Sequence, residues 1–478
     1  MKLKKTFIVL VGSLILFSCE DQLSESVYSQ LGTENYLATE AGVETVLYQA
    51  YSVMQRDGHN FSIQIHEDVV VTGRGDGRLG AWEGSTIAPF RLWTWTSTFW
   101  PLNNHWNICY DIIYNANVVL DNTEGSSFSE EFVAEMRGEA LALRGYAYLK
   151  LFEYFGPTPI HTSSSPEDLL LPRATEAEMM DRIESDFLEA IDLLPVDQDL
   201  FGRVTKGGAM GMLARYYLNT KQWQKAADLT KDVIDLDKYS LFPDYTTLFH
   251  IANEGNDEVL WVQPCNSATG LGNTLVGLTF PNDFPFEGTQ ATFPAQIRIP
   301  NWFVDSYEPG DTRADSTVLL KSYVNRNGAV VDAYGSFGSF PLKYGLDPSA
   351  QGGGSGGNDL PEMRYADILL MRAEALNELN GPNQESIDLI NEVRDRAKIP
   401  DMELTDFSSK ESLRDAIFQE RQWEFHFEDL TRIDMIRQGT FISDAISRGI
   451  KADSHHLLYP IPQAEIDANP NVTQNEGY

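Results

Sequence analysis

Helical periodicity runs through this chain in two blocks, and the stretch between them has none. Residues 39–55 put Val43, Val46, Leu47, Ala50 and Met54 on one helical face. Residues 104–121 repeat the pattern with Ile108, Ile112 and Leu120, and residues 129–155 extend it to a stop at Gly156-Pro157. Thr175 is placed to cap a helix through Met179, Ile183, Phe187 and Ile191, and Thr205 to cap the next. Another helix is expected from Trp223 to about Asp235. Residues 255–361 are instead rich in Gly, Pro and Asn, with short strand-like runs at Val259–Val262 and Thr317–Tyr323 and a flexible Gly-rich loop at 351–357. Periodicity returns at 364–380, 383–397, 409–427 and 428–448. The last twenty residues carry Pro460, Pro462 and Pro470 and cannot form one helix. The chain is therefore mainly α.

A short theme recurs in these helices: Leu143-Arg144-Gly145-Tyr146-Ala147, Ala214-Arg215-Tyr216-Tyr217 and Met371-Arg372-Ala373-Glu374-Ala375. Small residues on one face let helices approach closely, while aromatics fill the opposite groove. The theme resembles tetratricopeptide helix pairs, although no strict 34-residue period survives.

The amino terminus sets the compartment. Lys2, Lys4 and Lys5 precede an apolar run from Thr6 to Phe17, too short to span a bilayer but suited to a secretory signal. The run ends Leu16-Phe17-Ser18-Cys19, which resembles a bacterial lipobox with cleavage before Cys19 and lipidation of that cysteine. Several acyl chains make such anchoring stable, at about 0.8 kcal/mol per buried methylene. Glu20-Asp21 resembles the acidic export signal of surface-exposed Bacteroidetes lipoproteins. Loss of residues 1–18 removes three lysines and no acid, taking the formal charge from −34 to −37. That acidity excludes nucleic acid as a partner and suits neutral glycans better than polyanionic ones. A 42% hydrophobic fraction excludes general disorder, and three cysteines exclude a disulfide scaffold. Cys109 falls on the apolar face of its helix; pairing with Cys265 is permitted outside the cytoplasm but not specified by the sequence.

Five segments in order carry a family resemblance. They are Glu139 to Pro159; Gly202-Arg203-Val204-Thr205-Lys206 with Met212 to Tyr216; Met363 to Asn377 with Ile390 to Ala397; Glu420-Arg421, Glu424 and Glu428 leading to Arg432-Ile433-Asp434; and Pro460-Ile461-Pro462 with Asn469-Pro470, closing on Gln474 to Tyr478. Behind a lipobox, this series resembles the SusD/RagB family of outer-membrane nutrient-binding lipoproteins. Glu428-Asp429-Leu430 departs from the Glu-Gly that often precedes the family's arginine. The resemblance implies a SusD-like fold of tetratricopeptide-like helix pairs with a loop-rich region packed against them. The boundaries are a signal peptide at 1–18, a lipid-anchored tether at 19–38, a helical region at 39–254 and a C-terminal region at 255–478 containing the loop-rich insertion 255–361. It also implies a non-enzymatic role at the outer membrane: glycan capture and delivery to a SusC-like TonB-dependent transporter. Glu420, Glu424 and Glu428 are spaced for one helix face and call for balancing arginines, a structural network.

The binding expectation rests on aromatics. Trp82, Trp93, Trp95, Trp100 and Trp106 fall within 25 residues. Trp93 and Trp95 would share one face of an extended segment. Flat indoles suit the C–H faces of sugar rings, with Asn103, Asn104, Arg74 and Asp76 nearby to bond hydroxyls. Trp106 begins a helical Trp-x-x-x-Tyr-x-x-Ile pattern and is expected in the core. Trp302, Tyr323, Phe284, Phe286 and Tyr334 are candidates from the irregular region. Arg74-Gly75-Asp76 reads as a Gly-rich loop.

No nucleophile elbow, His-Glu-x-x-His or Walker motif occurs, so no catalytic residue is assigned. Adjacent His455 and His456 are expected to diverge, making poor joint metal ligands. No motif indicates a cofactor; abundant carboxylate and Asn oxygens suit Ca²⁺ without specifying a site. Two alternatives stay open. A surface glycoside hydrolase would need carboxyls about 5–5.5 or 6.5–9.5 Å apart across a pocket. The same transporter role for peptide or another nutrient would need no sugar platform.

Overall fold

The helices begin where side chains take up their first free N–H groups. Ser129 accepts from Phe132 N, Thr175 and Glu178 cap each other's backbone, and Thr205 accepts from Gly208 N. The computed structural model describes residues 36–478 except 55–59, 78–85, 268–271, 287, 290–291, 293–296, 337 and 351–354. Cys19, Trp82, the signal segment and all but the end of the tether therefore lie outside the described residues.

The first block contains α1 (Glu40–Met54), α2 (Asn60–Val71), β1 (Asp76–Gly77), α3 (Ala88–Leu92), α4 (Trp100–Thr123), α5 (Glu130–Phe155), α6 (Glu176–Leu193), α7 (Lys206–Asn219) and α8 (Trp223–Asp235). The irregular region holds β2 (Val259–Gln263), α9 (Leu275–Thr279), β3 (Ile297–Arg298), α10 (Asn301–Val304), β4 (Leu319–Leu320), β5 (Ser322–Val324), β6 (Val330–Asp332) and β7 (Phe340–Pro341). The chain then forms β8 (Leu360–Arg364), α11 (Tyr365–Asn380), α12 (Gln384–Ala397), α13 (Lys410–Glu424), α14 (Thr431–Gln438), α15 (Phe441–Ser447) and α16 (Gln463–Ala468). Neither α2 nor α3 was expected from periodicity. The expected helix at 428–448 is two, broken at Gly439, which takes φ 74°.

Helices pack in a relay: α1 on α4, α4 on α5, α5 on α6, α6 on α7 and α7 on α8. Then α8 packs against α11, which packs against α12 and α13, so the array continues across the irregular region. Antiparallel β2 and β8 pair at the base of that region and close it off. The recurring arginine is an inter-helix clasp. Arg144 on α5 binds Asp186 on α6 at 2.7 Å, Arg215 on α7 binds Asp367 on α11 at 2.8 Å, and Arg372 on α11 binds Glu385 on α12. Gly145 permits one such approach, since a Cβ there would sit 3.2 Å from the Phe187 ring.

A second set of charges joins the irregular region to β8, α12 and α13. Glu424 meets Arg396 at 2.6 Å, Arg364 at 3.1 Å and Arg313 at 3.4 Å. Glu420 meets Arg313 at 2.6 Å and Arg394 at 2.9 Å, while Glu428 meets Arg364 at 2.6 Å and Lys343. Glu258 meets Arg364 and Arg396, and Asp311 meets Arg313 at 2.7 Å. All these groups are buried. The expected network is present, with one correction. Glu428 is not on the helix face, because α13 ends at Glu424 and Phe427 turns to φ 67°. It reaches Arg364 from the loop.

The last segment is stitched onto the first block. Tyr459 N donates to Tyr154 O at 2.7 Å. Asn475 Nδ2 donates to Phe155 O at 3.0 Å, and Asn469 Nδ2 to Leu171 O at 2.9 Å. Cys109 and Cys265 are free thiols, each with its pKa pushed up to about 12 by burial. Among the described residues no helix is long and apolar enough to cross a membrane.

Glu424→Gln leaves three arginines short of a carboxylate and should cost about 3–5 kcal/mol by denaturant unfolding. A loss under about 1 kcal/mol would mean that the network contributes no more than surface pairs.

Candidate functional site

The turn after α2 and the irregular region meet at one seam. Gly75 lies so close to the core that a Cβ would sit 2.8 Å from Val69 and 3.0 Å from Ile297. That approach lets β1 pair with β3, in the register Asp76↔Arg298 and Gly77↔Ile297. Arg74 is buried and heavily engaged. Its Nε and Nη2 donate to Gln422 Oε1 at 3.0 and 2.7 Å, and Nη1 donates to Thr72 O at 2.5 Å. Nη1 also lies 3.3 Å from Asp444. The same guanidinium sits 5.4 Å from the centre of the Trp302 ring. Trp302 on α10 is 52% exposed, while Phe303 beside it is buried. A braced, solvent-facing indole is the arrangement that stacking on a sugar needs.

The seam brings Arg74 against Trp302, a pairing the sequence did not indicate, and gives Arg74 a different role from the one expected. Arg74 has its donors committed and braces the ring. Asp76 is half-buried, with Oδ1 3.8 Å from Arg91 Nε. Farther along, half-buried Tyr323 donates to Asp283 Oδ1 at 2.5 Å, and Asn325 donates to Asp283 Oδ2 at 3.0 Å. Phe284 packs 5.6 Å from Tyr323, and Arg326 lies 5.4 Å over Phe286. Tyr334 donates to Asp305 at 2.6 Å. Sequence reasoning passed over Arg298. It lies over the Phe340 ring with Cζ 3.2 Å from the ring centre, on the strand face opposite buried Ile297. Its only sequence signal is a lone cation inside Ile297-Arg298-Ile299.

Trp93 and Trp95 do not form an exposed platform. Trp93 closes α3 in a left-handed conformation, φ 54°, and is 5% exposed. Its ring stacks on Phe441 at 4.7 Å and its Nε1 donates to Val71 O at 3.2 Å. Trp95 is equally buried, edge-on to Tyr459 at 4.9 Å, and donates to Tyr478 Oη at 2.9 Å. Both fill the gap between α3, α15 and the last segment. Trp106 is buried in the core, as expected. Trp100 begins α4 and is 42% exposed, with Asn103 and Asn104 half-buried on the same first turn. Among the described residues Trp100 and Trp302 share no ring contact.

Two adjacent acids on α2 have raised pKa values, a pattern often met at catalytic sites. Glu67 is pushed up to about 8 and Asp68 to about 7, in both chiefly by burial. Tyr459 donates to Glu67, and Arg432 N donates to Asp68 Oδ1 at 2.6 Å. Both carboxyls are sealed in the core, which gives them a packing role. The histidines need a correction too. His455 and His456 converge, their ring centres 3.8 Å apart, because Asp453 caps the tight turn Ser454–Leu457 and draws both inward. His455 Nδ1 contacts Asp453 Oδ1, and His456 Nδ1 lies 3.6 Å from it. The His456 Nδ1 lone pair accepts from Asp453 N at 3.2 Å, so the turn itself already uses it.

Two family models match. One, described as the SusD family, covers residues 294–478; the other, described as starch-binding and associating with the outer membrane, covers residues 23–218. SusD-like protein P25 of Formosa agariphila is 25% identical with all of both chains covered. The starch-binding protein SusD of Bacteroides thetaiotaomicron is 27% identical over 77% of each. Among solved structures, a SusD superfamily protein from Parabacteroides distasonis superposes with a TM-score of 0.80 at 23% identity, covering 92% of this chain and 99% of that one. Surface glycan-binding protein A of B. thetaiotaomicron, in complex with laminarihexaose, gives 0.77 at 19% identity, covering 91% and 99%. These likenesses fix the fold.

Trp302→Ala should weaken glycan binding about tenfold, the order of one lost aromatic contact, without lowering the melting temperature. Trp93→Ala should instead cost about 3–5 kcal/mol of stability. The reverse pattern in calorimetry would exchange their roles.

Glu67 has a second, pH-dependent signature. Its folded pKa lies above its unfolded value, so the folded state holds the proton longer and stability falls as pH rises from about 4.5 to about 8. Glu67→Gln removes that slope. Melting temperature measured from pH 5 to pH 8 should show the variant gaining on the wild type throughout. A constant difference would show that Glu67 does not titrate there.

Proposed function

The chain belongs to the SusD/RagB family, and from that premise we propose that it captures glycans at the cell surface and passes them to a SusC-like TonB-dependent transporter. One observation carries the reading: Trp302 is held open to solvent by Arg74 at the seam between the helical array and the irregular region. An indole face covers the C–H face of a sugar ring and excludes water from it. Trp100 offers a second exposed indole. A neighbour of the same fold is known with laminarihexaose bound, and a relative is named starch-binding, which supports a glycan as the ligand.

The chemistry is reversible binding. The interior carboxylates described above are matched to arginines or sealed by burial, and the relatives are named as binding proteins. Handover asks for modest affinity. A Kd between about 1 mM and 1 μM corresponds to about 4–8 kcal/mol, weak enough for release. Lipidation at Cys19 would hold the protein at the membrane surface, with no helix inserted. The family description associating such chains with the outer membrane supports that location.

Three measurements test the reading together. Gentle extraction from native membranes should bring down a SusC-like channel with this protein, and recovery of the protein alone would count against the partnership. A labelled fatty acid should enter the wild type but not Cys19→Ala; equal labelling would remove the anchor. A glycan panel should show binding without cleavage. Product formation abolished by one carboxylate substitution would make the protein a hydrolase.

A further inference from the structure

The turn Ser454–Leu457 brings two titrating rings together at the entry to the last segment. His455 and His456 lie with ring centres 3.8 Å apart and planes tilted by 33°. One carboxylate serves both: Asp453 Oδ1 meets His455 Nδ1 and lies 3.6 Å from His456 Nδ1. His455 is half-buried, and His456 is buried.

Each ring holds a different part of the molecule. His456 packs 5.3 Å from the Trp93 ring and 5.7 Å from the Trp95 ring, edge-on to the second. His455 packs edge-on to Tyr478 at 4.8 Å, and a Cβ on Gly477 would sit 2.6 Å from its imidazole. Tyr478 in turn accepts from Trp95 Nε1 and donates to Leu458 O at 2.9 Å. The stacked pair is thus wedged between two indoles and residues 477–478.

The other charges around it are committed. Arg432 Nη2 donates to Leu457 O at 2.8 Å, and its guanidinium covers the Tyr459 ring. Arg448 pairs with Asp444 at 2.8 Å and donates to Val71 O, which also accepts from Trp93. Glu67 takes the Tyr459 hydroxyl. Among the described residues Asp453 is the one carboxylate paired with either imidazole, so it can balance one imidazolium and not two. The turn also requires His456 to be neutral. Its Nδ1 accepts from Asp453 N, and a proton there would set two N–H groups against each other and open the cap. Burial and the neighbouring imidazole both lower the His456 pKa.

We propose that the stacked pair His455–His456 is a pH-sensitive clasp: with His456 neutral it holds the last segment against Trp93 and Trp95, and with both rings protonated it lets residues 475–478 go. A histidine whose pKa is held down by the fold supports that fold above its ordinary value near 6.5 and withdraws the support as pH falls below it. The sign is opposite to that of Glu67, so the two contributions separate.

Hydrogen exchange of the full chain at pH 7.5 and pH 5.5, corrected for the intrinsic rate, reads the clasp in the carboxyl-terminal peptide. In the wild type its protection should fall about tenfold at the lower pH, the equivalent of one pKa unit, while peptides from α11 and α12 keep theirs. His456→Gln, which offers Asp453 N an acceptor that does not titrate, should be equally protected at both pH values. His455→Gln, which removes the second cation and leaves Asp453 to His456, should lose less than the wild type. Unchanged wild-type protection would overturn the proposal, as would an equal loss in His456→Gln. If His456→Gln leaves the peptide unprotected at both pH values, titration of ¹⁵N-histidine resonances in the wild type decides. Protection lost in step with the His456 resonance supports the clasp, and loss out of step with it overturns it.

Discussion

Five cations and five carboxylates meet out of solvent where the irregular region joins the second helical block: Arg313, Lys343, Arg364, Arg394 and Arg396 with Glu258, Asp311, Glu420, Glu424 and Glu428. The numbers balance, five charges of each sign. Desolvating such ions is expensive, and only multiple contacts on each offset the cost. That requirement fixes geometry. Glu424 must face three arginines from β8, α12 and the irregular region at once, which places those elements relative to α13. Apolar packing alone would allow the irregular region to slide on these helices.

Locked to the second helical block in this way, the irregular region can be long and still hold its edge in place. It is anchored at its base by β2 with β8, and near its far side by β3 against β1. The Trp302 seam sits at that second anchor. Trp302 thus takes its position from a two-residue strand pair and a buried arginine.

Much of the helical array was legible because its signals are local. Thr175 and Thr205 cap as their sequences indicate, and the recurring Leu/Met/Ala-Arg theme corresponds to arginines that clasp neighbouring helices. Helix α2 was not legible. Gln64, His66, Glu67 and Asp68 are all buried, so no polar face marks its period. Trp93 and Trp95 misled for the opposite reason. Their alternation suggests an exposed strand, but Phe441, His456, Tyr459 and Tyr478 cover them from the far end of the chain. Glu428 left its expected helix face at a turn with neither Gly nor Pro to announce it. Arg298 could not be singled out either. That its Nε and Nη1 are buried without an acceptor is a property of three-dimensional surroundings, and seventy acidic residues offered partners on paper.

The stitching of residues 459–478 onto α4–α6 and their loops bears on the order in which the molecule forms. Trp95 waits for Tyr478, Phe155 O for Asn475, and Leu171 O for Asn469. A chain emerging from its amino end cannot close its first helical layers until these distant residues arrive. Contacts of such sequence separation make folding slow. Closure of the first helical layers is therefore tied to the final residues of the sequence, and a clipped carboxyl end would leave Trp95 and two backbone carbonyls short of their donors and acceptors.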